Sequence, residues 1–173
     1  MSMKKTVLTW GLIAGSVTSL MMLVSLPFAD RIGFDKAAIF GYTGLIASAL
    51  IIYFGVRSYR DNVAGGRITF GQGFKVGILI ALVASFLYVA TWQVVYFGFR
   101  PDFCDRYQAH MIEKATAKGE GPEKIAEIEK QMATMKKMLD NPLTNAALTM
   151  IEPFPFGLVS ALVSAGILRR KKE

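Results

Sequence analysis

Four long runs of this chain carry almost no charge. They cover residues 6–28, 37–56, 76–99 and 143–168, and Glu152 is the only charged residue within them. A helix rises about 1.5 Å per residue, so about 20 apolar residues cross the hydrocarbon of a bilayer. The runs hold 23, 20, 24 and 26 residues, and each is long enough. The pattern predicts four transmembrane helices. The first run also exceeds the apolar core of a secretory signal, about 7–15 residues, which favours a retained helix over a cleaved leader.

The polar stretch 100–142 separates the third run from the fourth and has a different period. Phe103, Tyr107 and Met111 stand four apart, which places them on one helix face. Gly119 ends that helix and Gly121-Pro122 opens another, because proline suits the first helical turn. Ile125, Ile128, Met132, Met135 and Leu139 then mark a narrow apolar seam on a charged helix, with Glu123 in its first turn and Lys136 and Lys137 in its last. Asp140-Asn141-Pro142 breaks the run. The expected fold is an all-α membrane protein: four transmembrane helices in a single membrane domain, with an extramembrane helical hairpin between helices 3 and 4. So narrow a seam suits a contact with the Phe103–Met111 face better than a partner surface, although its methionines would also serve docking.

Composition sharpens this picture. The chain is 53% hydrophobic and 19% charged, with mean hydropathy +0.38, which excludes a soluble globular domain and a disordered tail. The net charge of +7 is unevenly placed. Lys4, Lys5, Arg57, Arg60, Arg67, Lys75, Arg169, Arg170, Lys171 and Lys172 would share one side with only Asp61 and Glu173, directly beside the span ends. Basic loops are retained inside, so both termini are expected in the cytoplasm and residues 100–142 outside. The charge is thus topological and implies no nucleic-acid partner. The glycine-rich loop with Arg57, Arg60 and Arg67 is expected at anionic headgroups, and Trp92, Tyr96 and Phe97 in an outer aromatic belt.

One cysteine and one histidine exclude a disulfide framework and most zinc sites. Cys104 and His110 stand six apart, on different helix faces. No nucleophile–base pair or spaced carboxylate pair is present. The expectation is a protein without catalytic residues, metal or cofactor.

Within the spans, small residues recur every fourth position. Gly11, Gly15 and Ser19 line the first helix, and Gly44 and Ser48 the second. Gly73, Gly77, Ala81 and Ser85 line the third, and Gly157, Ala161 and Ala165 the fourth. Such ridges let backbones approach where lipid supplies no hydrophobic force between helices. They either close the bundle of one chain or, through Gly11 and Gly15, build a homodimer. Glu152 lies 16 residues before Leu168, about 24 Å of helix, near the outer boundary. That level predicts a polar cluster of Glu152 with Tyr42, Gln93 and Tyr96. Its role is either a cap at the interface or a proton or cation relay. Pro153 and Pro155 either bend one continuous helix or start a new one.

Gly55-Val56-Arg57-Ser58-Tyr59-Arg60, Gly65-Gly66-Arg67-Ile68-Thr69-Phe70 and Gly77 form an inner-loop signature. Pro101-Asp102-Phe103, Asn141-Pro142 and Glu152-Pro153-Phe154-Pro155-Phe156-Gly157-Leu158 follow in order. Together these motifs resemble the bacterial family known as domain of unknown function 4199, over nearly the whole chain. The resemblance implies a small integral protein of a bacterial inner membrane and carries over no catalytic residue. The expected role is a non-enzymatic membrane subunit presenting its hairpin to a partner or the envelope, with the bilayer as its constant partner. The alternative is a small homo-oligomeric transporter or channel using Glu152. The expressed chain should sediment with membranes and leave them only in detergent; recovery in aqueous buffer would overturn the four-span reading.

Overall fold

The computed structural model describes residues 2–169, without the side chains of residues 28 and 30–32. The basic run 170–172 and Glu173, which entered the charge argument, lie outside the described residues. Among the described residues seven α-helices follow one another: α1 Met3–Ile32, α2 Phe34–Asn62, α3 Phe70–Val94, α4 Phe103–Ala117, α5 Pro122–Leu139, α6 Pro142–Ile151 and α7 Pro153–Leu168. A π-helical turn, Val95–Phe99, extends α3. No strand occurs among the described residues. Four stretches are long and apolar enough to cross a membrane: Met3–Pro27, Phe34–Asn62, Phe70–Phe99 and Pro142–Leu168.

These helices overrun the apolar runs. Between α1 and α2 the expected polar connection shrinks to Gly33, whose φ of +87° only glycine adopts readily. Toward the other end, α3 starts six residues before the apolar run does. Thr69 and Gln72 form a capping box: the Thr69 hydroxyl accepts from the Gln72 amide at 3.2 Å and the Gln72 side chain accepts from the Thr69 amide at 3.1 Å. Capping, not hydropathy, sets that boundary. In α6 the Asn141 side chain accepts from the amides of Leu143 and Thr144, so the predicted breaker is an N-cap.

α1 and α7 flank α2 and α3 on opposite sides. The seams are built by the small residues. An ideal Cβ at Gly73 would lie 3.2 Å from Ala165 Cα, one at Gly77 3.0 Å from Ala161 Cα, and one at Gly157 2.6 Å from Ala81 Cβ. These pairs step along an antiparallel α3–α7 contact. On the other side, Gly11 meets Val83 and Gly15 meets Leu87, and the Thr91 hydroxyl donates to Ser19 Oγ at 3.1 Å. That offset is constant, so α1 and α3 run parallel. The Gly11–Gly15 face is therefore filled by α3 within one chain. Ser160 Oγ donates to the Ala49 carbonyl at 2.5 Å and ties α7 to α2.

One end of the bundle is sealed. Val7, Ile52, Val56, Ile68, Val76, Ile80, Ala81 and Leu168 form the main core, which includes Ile68 of the loop after α2. Both described chain ends thus meet that loop at the same end, and α4 and α5 sit at the other. Outward faces are bare and apolar: Leu20, Ile46, Leu50, Phe86 and Ile167 are all exposed. Water would leave these groups unpaid, and acyl chains would cover them.

α4 and α5 pack through Ala115, Ile128 and Met132, with Tyr107, Met111 and Ile112 beside them. The seam of α5 divides at Met132. Met135 stays 45% exposed and turns toward the spans.

Gly77→Ala should lower stability in detergent by about 1–3 kcal/mol, because Ala161 backbone blocks the new methyl. Gly166→Ala, where the methyl meets nothing within 4 Å, should be neutral or stabilising. Thermal unfolding of the two variants checks this, and equal effects would remove the seam from the account.

Candidate functional site

Where the helical pair meets the spans, the predicted polar residues part into two groups. Gln93 and Tyr96 belong to the neck of the hairpin. The Gln93 side chain donates to the Pro142 carbonyl at 2.9 Å. The π-helical turn carries Tyr96, which is 1% exposed; its hydroxyl donates to Asp140 at 3.1 Å and lies 3.7 Å from Cys104 Sγ. Trp92 meets Phe103 edge-on, with ring centres 5.0 Å apart. Trp92 and Tyr96 thus turn toward the hairpin rather than into a belt at the lipid boundary, whereas Phe97 stays 44% exposed.

More bonds clamp the hairpin. The Arg100 guanidinium donates to the Leu26 carbonyl at 3.2 Å, and Lys114 donates to Asp35 at 2.7 Å. Phe34, one residue past the Gly33 bend, meets Phe103, Tyr107 and His110 through its ring. Lys136 grips Asp105 at 2.6 Å between α5 and α4, and that carboxylate raises the lysine's pKa above its ordinary value. Burial pushes the Cys104 thiol up, against the lowering effect of the Tyr96 hydroxyl. That thiol is an unreactive packing group.

Glu152 and Tyr42 form the second group. Glu152 is the joint between α6 and α7, so a new helix starts at Pro153. Pro153 and Pro155 have no N–H to donate to the carbonyls four residues before them, and the ladder is interrupted there. The Glu152 carboxylate accepts from the Tyr88 hydroxyl at 2.9 Å. Tyr88 escaped the sequence reading because the apolar run of the third span begins only at residue 76. α3 begins six residues earlier, which brings Tyr88 rather than Gln93 opposite. A capping box is legible in Thr69-Phe70-Gly71-Gln72, and reading it would have corrected the level. Asn145, fully buried, was also missed; its amide donates to the Leu139 carbonyl at 2.9 Å and fastens α6 to the end of α5.

Tyr42, Tyr88, Trp92 and Glu152 open onto one cavity of about 460 Å³. α1 and α2 supply Met22, Leu26 and Gly41, and the hairpin roofs it with Phe103, Tyr107, Met135 and Leu139. Beneath, the interior closes: a space of about 10 Å³ among Thr18, Ser48 and Ser85 holds at most one water.

The basic residues lie at the opposite end. Arg60 and Arg57 reach Asp61 at 2.6 and 3.6 Å, and Arg67 is exposed. His110 approaches Asp35 at 3.8 Å, whereas Cys104 meets Tyr96. No cluster of three or more metal-ligating side chains occurs among the described residues.

Fold and cavity define a class: an all-helical protein with four helices able to cross a membrane and a helical pair folded over one end. Within that class the family is shown. The family model described as a protein of unknown function (DUF4199) matches residues 9–170, and this chain belongs to that family. No curated protein and no solved structure matches it.

Tyr96→Phe should loosen the neck by about 1 kcal/mol. Maleimide labelling of native Cys104 should then quicken about fivefold, and an unchanged rate would show that the Asp140 bond does not hold the hairpin down.

Proposed function

We propose that this chain is a four-span protein of a bacterial inner membrane, with both ends and the 63–69 loop in the cytoplasm and the α4–α5 hairpin outside. In this reading it is a non-enzymatic membrane subunit, and its hairpin roofs a cavity that receives an amphipathic guest from the outer leaflet. The single observation behind this is the cavity itself. About 460 Å³ lies within the range of small-molecule sites, about 300–1,000 Å³. It is walled by aromatic and aliphatic side chains, and its lining includes one carboxylate, Glu152.

The basic residues support the orientation, since Arg57, Arg60 and Arg67 cluster at the end opposite the hairpin. Presentation of the hairpin to a partner has less support. Its apolar seam is taken up by α4 and the cavity, and its outer face pairs with itself, Lys124 and Gln131 both reaching Glu127. A conduit through one chain also has less support, because Ile52, Val56, Ile80 and Ala161 close the interior below the cavity.

In a Cys104→Ser background, Glu129→Cys should react with an impermeant maleimide on intact cells and Arg67→Cys only after permeabilisation; the reverse order would overturn the orientation. Native mass spectrometry of the full chain from mild detergent should retain one bound amphiphile, and Gly41→Trp, which fills the cavity, should lose it. Retention in Gly41→Trp would dismiss the cavity as the site.

A further inference from the structure

The charge of the guest's head can be read from the wall of the cavity. We infer that the cavity binds a primary ammonium group carried on an apolar chain, with Glu152 as its counter-ion, an assignment that rests on the binding role proposed above. An ionised carboxylate offers about four acceptor positions, and the Tyr88 hydroxyl occupies one at 2.9 Å. No described Lys, Arg or His forms an ion pair with Glu152. Glu152 lies exposed at the rim of the cavity, beside its apolar lining, and charges at membrane depth are found paired. An ammonium supplies the missing charge and three N–H donors for the remaining acceptor positions.

The walls fit the same ligand. Tyr42, Tyr88 and Trp92 line the cavity along with Glu152, and aromatic faces attract cations within about 6 Å. Met22, Leu26 and Leu148 offer the chain an apolar surface. An anionic head would face Glu152 with like charge, and a neutral head would leave the carboxylate uncompensated. The chemistry is shared by free alkylamines and by lipids with an aminoethyl head.

The test uses the full chain with Trp10→Phe, which leaves Trp92 of the cavity wall as the sole tryptophan. Its fluorescence is titrated with dodecylammonium, dodecanol and dodecyl sulfate in a neutral detergent. Dodecylammonium should bind at least about tenfold more tightly than dodecanol, and Glu152→Gln, which keeps an acceptor for Tyr88, should remove that preference. Circular dichroism and thermal unfolding confirm that the variant is folded. Equal binding of dodecanol and dodecylammonium, unchanged by Glu152→Gln but lost in Gly41→Trp, would overturn the ammonium assignment and leave the cavity as a binding site. Absence of binding by all three probes would overturn both. In nanodiscs, competition by phosphatidylethanolamine but not phosphatidylcholine would identify a lipid head as the ammonium source. Equal affinity for dodecylammonium in the two would identify a free amine. Either result keeps the assignment, provided that the Glu152 dependence holds.

Discussion

Backbone-to-backbone approach along α3 is the constraint on which the rest depends. Lipid chains are as apolar as leucine, so the spans gain little by hiding side chains from their surroundings and must gain from close packing. Gly73 and Gly77 take Ala165 and Ala161, Ala81 takes Gly157, and on the other side α3 meets Gly11 and Gly15. These contacts fix the vertical register of α1 and α7 against α3. Register in turn decides which polar side chains share a level. Glu152 meets Tyr88 and Ser19 meets Thr91 as consequences of where glycines stand further down the helices.

The two halves of the bundle differ because the α3–α7 seam of small residues stops at Ala81 and Gly157, whereas the α1–α3 seam runs on to Ser19 and Thr91. Near the 63–69 loop the helices touch and the core is dry, with Ile68 closing it. Toward the hairpin α1 still holds α3 through Gly15 and Ser19, and the cavity opens among Tyr42, Tyr88 and Trp92. The Pro153–Pro155 break adds to this, since α6 is free to leave the line of α7 and follow α5. Asn145 and Gln93 hold it there. A cavity at the hairpin end and closure at the end of the 63–69 loop follow from where the α3–α7 seam stops.

The hairpin is seated by bonds scattered along the sequence. Tyr96 reaches Asp140, Arg100 reaches Leu26 and Lys114 reaches Asp35. The π-helical turn before α4 carries Tyr96 to Asp140, and the Gly33 bend brings Phe34 under the roof. Together they make the α4–α5 pair a cover over the open end of the bundle, with the exposed Glu152 at the edge of the cavity beneath it.

Hydropathy alone determined the four apolar helices, because about 20 uncharged residues in a row have few other stable places. Period and punctuation determined α4 and α5, since Gly119, Pro122 and the seam of Ile128 and Met132 act within a few residues of one another. The small-residue ridges were visible too, but not their partners: whether Gly11 faces α3 or a second chain is a question of distance across the fold. The grouping of Tyr42, Gln93, Tyr96 and Glu152 was legible only as a common depth. A capped start of α3 shifts that depth by six residues, and a π-helical turn sends Tyr96 to the hairpin. Local signals fix where helices begin and what they are made of. Which side chains meet depends on register, rotation and bend summed over whole helices, and only packing in three dimensions decides those.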